Sequence, residues 1–235
     1  MLNLKDTLSR DVSMPTLLLT GFEPYGTTPV NPAEQVARTL HGEVISNIEV
    51  ISTIVPNTFF KSIDHVKKLI REQNVDYVLM MGEYTGRAMV TFERFAHRII
   101  DSSRYQLSDN EGVSFDNQET VEDGPVAYQS NLPLKAMVET LRRNAIPADI
   151  SDTAGTFVCN HLFYGILHEI VVNNMPIKAG WAHLPMLPGT AALQENLGMP
   201  SMSVETSASA IRFAIQAIAE NPVDIKQSLA AGLQI

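Results

Sequence analysis

Short apolar runs that end in glycine or proline alternate with amphipathic stretches from residue 16 to residue 219, and no other feature restricts the fold of this chain as much. "TLLLTG" (16–21) and "VDYVLMMG" (75–82) are continuous apolar runs closed by glycine, the pattern of strands covered on both faces. "EVISNIEVISTIV" (43–55) is rich in β-branched residues and predicts one or two strands; "ADISD" (148–152) and "IKAGWAHLPM" (177–186) predict two more. Helical patterns lie between these runs. Asn31 is placed to cap, and Pro32 to start, a helix over "PAEQVARTL" (32–40). "FFKSIDHVKKLIREQN" (59–74) sets Phe60, Ile63, Val66 and Ile70 at helical spacing. Further helices are expected over 132–147, stopped by Pro147, and over 158–172 and 203–219. "RAMVTFERFAHRIID" (87–101) has mixed periodicity and reads as extended or hairpin-like.

Alternation of this kind predicts an α/β layered fold with a mostly parallel central sheet. No linker or shift in composition divides it, so a single domain is expected over 15–235, behind a polar extension over 1–14 that lacks the apolar core of a secretory signal. Ligands of such sheets gather outside the carboxyl ends of the strands. Four strands run there into loops of unusual content: "TGFEPYGTTPVN", "GEYTGR", "DTAGTFVC" and "HLPMLPG".

Several functions are disfavoured. A net charge of -9 with thinly spread basic residues argues against nucleic acid. No apolar run reaches the ~18–20 residues of a membrane span. Thr27 and Thr28 stand where the phosphate-loop spacing of "GFEPYGTT" needs Lys followed by Ser or Thr. "DNEG" (109–112) lacks the spaced acids of a calcium loop and reads as a tight turn, and no histidine pair has metal spacing. The single cysteine, Cys159, excludes an internal disulfide and fits a reducing compartment, so a cytoplasmic location is expected.

Cys159 shares a helical face with Phe163, Ile166 and Ile170, which fits a buried apolar filler. Its position after the turn "TAGT" also puts it near a helix N-terminus. Free N–H groups and the helix dipole there favour a thiolate and can hold an oxyanion. A thiol nucleophile needs a base. His161 and His168 lie roughly 200° and 180° round the helix from Cys159, so neither can turn back to the sulfur. His65 sits within a surface helix and His41 beside a helix end; His97 stays open in its ambiguous segment. His183, closing the apolar run "IKAGWAH", stands at the carboxyl end of a strand and is a good candidate. Glu93 is one of several carboxylates available to orient an imidazole.

The blocks "LLLTGFEPYGTTPVNP", "GRAMVTFER" with the later "DNEG", "TAGTFVCNHLFYG" and "AGWAHLP" occur in the order, and with much of the content, of the pyroglutamyl peptidases of the pyrrolidone-carboxylate peptidase type. The chain resembles that family from about residue 15 to about residue 190. The resemblance implies a three-layer α/β/α sandwich and a cysteine peptidase that removes an amino-terminal pyroglutamyl residue from peptides through a thioester. It also implies no metal or organic cofactor, no nucleic-acid or membrane partner, and assembly as a homotetramer. Residue by residue, it assigns the nucleophile to Cys159, the histidine to His183 and the glutamate to Glu93. Phe22 and Tyr25 fall on the aromatic positions at the lactam ring and Phe157 and Val158 beside the nucleophile, as further substrate-binding residues with Asn31 and Glu83 near the pocket, and Arg104 falls on an arginine at the oxyanion. The chain departs from the family most in its second block, where "GEYTGR" stands for "GQAGGR" and Glu83 replaces an amide. Tyr25 replaces a Phe, and the segment before "DNEG" is longer and bulkier. These departures keep two alternatives in view: an amidase or peptidase for a different amino-terminal group, and a catalytically silent binding protein of the same fold.

Overall fold

The computed structural model describes residues 14–26 and 28–231. The extension expected over 1–14 lies outside these residues apart from Met14, and so does Thr27. In chain order the elements are β1 (Thr16–Phe22), α1 (Pro32–Leu40), β2 (Val44–Ile45), β3 (Ile48–Val55), α2 (Lys61–Glu72), β4 (Tyr77–Glu83), β5 (Val90–Glu93), β6 (Phe95–His97), β7 (Ile99–Ile100), β8 (Gln118–Glu119), β9 (Ala127–Gln129), α3 (Leu134–Arg143), β10 (Ala148–Ser151), α4 (Val158–Val172), β11 (Lys178–Leu184), α5 (Pro188–Ala191) and α6 (Val204–Glu220). Seven strands form the central sheet in the order β10-β5-β11-β4-β1-β3-β2. Its pairs are parallel except β5 with β11 and the edge pair β2 with β3.

Helices cover both faces, which is why β1, β4 and β11 are buried along nearly their whole length. Alternate side chains go to opposite layers. Leu17, Leu19, Leu79 and Met81 pack with Val36 of α1, Leu141 of α3 and Ile211 of α6. Leu18, Phe22, Val78 and Met80 pack with Val66 of α2 and Phe163 of α4. The result is an α/β/α sandwich. A Cβ on Gly165 would come within 2.3 Å of Ile63 Cδ1, so glycine is what lets α4 lie against α2.

Local chemistry sets the ends of the elements. The Asn31 side chain accepts the Ala33 N–H at 3.0 Å, capping α1 as expected. Phe60, expected on the apolar face of α2, instead precedes that helix with φ 60° and is 41% exposed. His161 Nε2 accepts the Phe60 N–H at 2.9 Å and Asp109 accepts the Phe59 N–H at 2.9 Å, so it is Phe59 that turns into the core. α3 ends at Arg143, before Pro147 is reached, because Ala145 takes the left-handed conformation at φ 58°. The segment over 87–101 is extended and divides its strands. β5 enters the central sheet, while β6 and β7 pair with β9 and β8 as two outlying ribbons. Asn160 of α4 holds these ribbons by accepting the His97 N–H and donating to the carbonyls of His97 and Ile99.

Candidate active site

The register of three strands brings the polar residues together. β5 and β11 run antiparallel, with Trp181 opposite Glu93, Ala182 opposite Phe92 and His183 opposite Thr91. Phe92 and Ala182 belong to the α1/α3/α6 layer, so the alternate residues Thr91, Glu93, Trp181 and His183 face α4. β4 places Gly82 beside His183. A Cβ on Gly82 would lie 3.0 Å from Cys159 Sγ, 3.5 Å from His183 Cδ2 and 2.9 Å from Trp181 Cζ2. Sulfur and imidazole therefore crowd one point at the end of β4, and only glycine leaves room for both.

His183 is buried between Trp181 and Tyr84, whose rings stand 5.5 and 5.2 Å from it. Its Nδ1 donates to Glu93 Oε1 at 2.7 Å, since a carboxylate can only accept. Nε2, bonded to Cδ2, is left to act as an acceptor. Arg87 donates to the same Glu93 oxygen at 2.6 Å, to Thr91 Oγ1, and to Ser151 Oγ at 3.3 Å. Thr91 Oγ1 adds a longer contact to Glu93 at 3.3 Å. The Arg87 guanidinium also stacks 3.9 Å over the Tyr84 ring.

Burial would raise the Glu93 carboxyl, but the hydrogen bond and charge of His183, with the charge of Arg87, hold it below the ordinary range. Burial lowers His183, and Glu93 restores only part of the loss. The Cys159 thiol is pushed up to about 12 by burial and by the charge of Glu93. The helix N-terminal lowering expected of this thiol is present, through its own backbone N–H, but these larger effects outweigh it. The resting pair is thus a thiol beside a neutral imidazole.

Cys159 follows Phe157 and Val158 at the start of α4, where Phe157 is the N-cap and supplies no side-chain hydrogen bond. The first intrahelical bond is His161 N–H to Phe157 C=O, so the N–H groups before it have no acceptor within the helix. Above the sulfur opens a cavity of about 390 Å³, within the range of small-molecule sites. Phe22, Tyr25, Phe157, Cys159 and His183 line it.

The family model described as pyroglutamyl peptidase matches residues 15–221. The chain belongs to the pyroglutamyl peptidase family. It is 48% identical over 222 residues to a pyrrolidone-carboxylate peptidase of Mycobacterium tuberculosis, covering 94% of this chain and all of the relative. A pyrrolidone-carboxylate peptidase of Bacillus mycoides is 44% identical, with 90% of this chain and 96% of the relative covered. The crystal structure of pyroglutamyl peptidase I from Bacillus amyloliquefaciens superposes with a TM-score of 0.86 at 34% identity, over 91% of this chain and 99% of that one.

Of the residues that the family pattern assigns, Asn31 and Glu83 also line the cavity. Asn31 does so while occupied on both ends, as cap of α1 and as donor to the Glu23 carbonyl. Val158 does not line the cavity: it turns inward and is fully buried in the α2/α4 layer. Arg104 is also elsewhere. It sits in a single 3-10 turn, 61% exposed, with Asp101 as its ion-pair partner, and does not line the cavity, although its loop neighbours Tyr105 and Leu107 do. Arg87, Thr91, Ser151 and the cavity-lining Asn57 were not singled out from the sequence. For Arg87 the available signal was its place in "GEYTGR", six residues before Glu93. His161 and His168 are engaged away from the sulfur, with Thr120 and Tyr128 respectively.

Proposed function

We propose that this chain is a cysteine exopeptidase that hydrolyses the bond after an amino-terminal pyroglutamyl residue, with Cys159 as nucleophile, His183 as general base and acid, and Glu93 as its orienting carboxylate. The observation that carries the reading is the Glu93–His183 hydrogen bond, with His183 and the Cys159 sulfur crowded against Gly82 and both lining a cavity walled by aromatic rings. His183 Nε2 takes the thiol proton as the sulfur adds to the pyroglutamyl carbonyl, so attack and deprotonation are coupled. The helix N–H groups around Cys159 receive the oxyanion in place of Arg104. The imidazolium, stabilised by Glu93, protonates the departing amine. Water then adds to the thioester, giving up its proton to His183, and Cys159 leaves as the thiol.

The flat, neutral lactam suits Phe22, Tyr25 and Phe157, which present aromatic surface rather than charge. A homo-oligomer and a cytoplasmic location belong to the same reading. The exposed Leu193, Leu197 and Met199 after α5 support the first, and the single thiol supports the second. The test is release of a fluorophore from a pyroglutamyl amide. Release abolished by iodoacetamide and by Cys159→Ala is expected; release only from other aminoacyl amides would assign a different specificity. No release by a correctly folded chain would contradict the reading.

A further inference from the structure

The turn between β4 and β5 folds one side chain back onto the acid–base pair. The Arg87 N–H donates to the Tyr84 carbonyl at 3.3 Å, and Gly86 between them takes φ 89°, a conformation that side chains disfavour. The Arg87 side chain, 16% exposed, then reaches both groups that hold His183. Its guanidinium donates to Glu93 Oε1 at 2.6 Å, the same oxygen that accepts His183 Nδ1. It also stacks 3.9 Å from the centre of the Tyr84 ring, which meets the imidazole in a T-shaped contact at 5.2 Å. Thr91 and Ser151 accept its other hydrogen bonds.

We propose that Arg87 is a positioning residue of this site, tying the Glu93 carboxylate and the Tyr84 ring together so that His183 keeps one tautomer and one orientation beside Cys159. The inference rests on the cysteine peptidase reading and adds to its three residues a fourth that acts through them. A guanidinium is planar and forked, so it can donate in its plane to Glu93, Thr91 and Ser151 while its face lies on a ring. Half of this arrangement belongs to the chain's departure from its family: Tyr84 stands where "GQAGGR" has alanine, which offers no face to stack on.

Charge works in the same sense as geometry. The ionisable groups around His183 are Glu93 of β5, Arg87 before it, Cys159 of α4 and Tyr84 after β4, with Glu83 and Tyr25 lining the same cavity. Of these, Arg87 alone carries a fixed positive charge. Without it Glu93 would stand unbalanced beside the imidazole and favour the imidazolium. The charge of Arg87 accordingly lowers His183, after the larger effects of burial and Glu93.

Arg87 does not line the cavity, so its loss should appear in kcat rather than in KM. In release of a fluorophore from a pyroglutamyl amide, Arg87→Gln should lower kcat by up to about 10²-fold, the cost of about 1 Å of misplacement. The acid limb of its kcat/KM profile should move to higher pH, because the imidazole holds its proton more tightly without the neighbouring cation. Arg87→Lys keeps the charge but not the planar fork, so the limb should stay near its original place while kcat recovers only in part. Tyr84→Ala removes a ring that is 40% exposed, spares the fold, and should lower kcat severalfold. The displacement in Arg87→Gln should also appear without turnover, in the NMR titration of the His183 ring, assigned by its absence from His183→Ala. A ring titration identical in Arg87→Gln and the unmodified protein, or an unchanged kcat in Tyr84→Ala, would overturn the inference and leave the peptidase reading standing. A displaced titration in a chain that releases no fluorophore would retire the peptidase reading and leave the hold of Arg87 on His183 intact.

Discussion

On one side of the central sheet, Leu17, Leu19, Leu79, Val90 and Ala182 meet Val36, Leu141, Ile211 and Ile215 from α1, α3 and α6, and the layer is almost wholly aliphatic. On the other side the same strands present Gly82, Thr91, Glu93, Trp181 and His183 to α4, among the rings of Phe22, Phe59 and Phe163. Aliphatic packing is redundant, since each side chain touches many others and none has a unique partner. The α4 face is not: His183 has one carboxylate, Glu93 one imidazole, and Cys159 one gap, left by Gly82. Substitutions on the first face should therefore cost stability, and those on the second should cost turnover.

The largest effect tests that division directly. His183→Ala, or Glu93→Gln with its size preserved, should lower kcat by roughly 10²–10⁴-fold, the usual worth of a positioned acid–base group, while the purified variants stay folded by circular dichroism. Next, Leu141→Ala on the aliphatic face should cost about 2–5 kcal/mol in urea unfolding and leave kcat per folded molecule unchanged. A matching fall in kcat would erase the distinction between the faces. Gly82→Ala is a smaller change on the active face. Its methyl would press on Cys159 and Trp181, and a displacement of about 1 Å at the sulfur should reduce turnover by about 10²-fold with little loss of thermal stability.

The smallest effect sharpens the comparison within the α4 face. His161 is as buried as His183, but it holds the Phe60 N–H and pairs with Thr120, and burial lowers its imidazole to about 3. His161→Gln should cost about 1–3 kcal/mol and spare most turnover. The imidazole is neutral in the fold below the pH at which the unfolded side chain takes a proton. Its contribution to stability is thus complete above about pH 6.5 and is lost as pH falls from there toward 3. The variant should lack that part of the acid slope in a urea-midpoint series against pH.

The strand–helix alternation made the layers legible, because burial on both faces writes itself as continuous apolar runs. The cap at Asn31 was legible for the same local reason. The cysteine and histidine positions could be argued from helix geometry and strand ends, but Glu93 needed the family resemblance to stand out among other acids. What the sequence left hidden depends on contacts made at long range. The mixed periodicity over 87–101 reflects three short strands serving three sheets, so the insertion of β5 beside β11, and with it the Arg87–Glu93 contact, had no periodic signal. Arg104 fell in a loop whose course is set by Asp109 and Ser102, not by spacing from Glu93. The elevated thiol of Cys159 depends on burial and on Glu93, neither visible from a helix N-terminus alone.

Since Cys159 is the only thiol in the chain, its alkylation by iodoacetamide reports on that one sulfur. Followed from mildly acidic to alkaline pH, the reaction should proceed near neutrality in the unmodified protein, where His183 can draw off the proton. In His183→Ala it should be displaced toward the high pH that the thiol itself requires. Superimposable profiles for the two proteins would mean that the imidazole does not act on the sulfur.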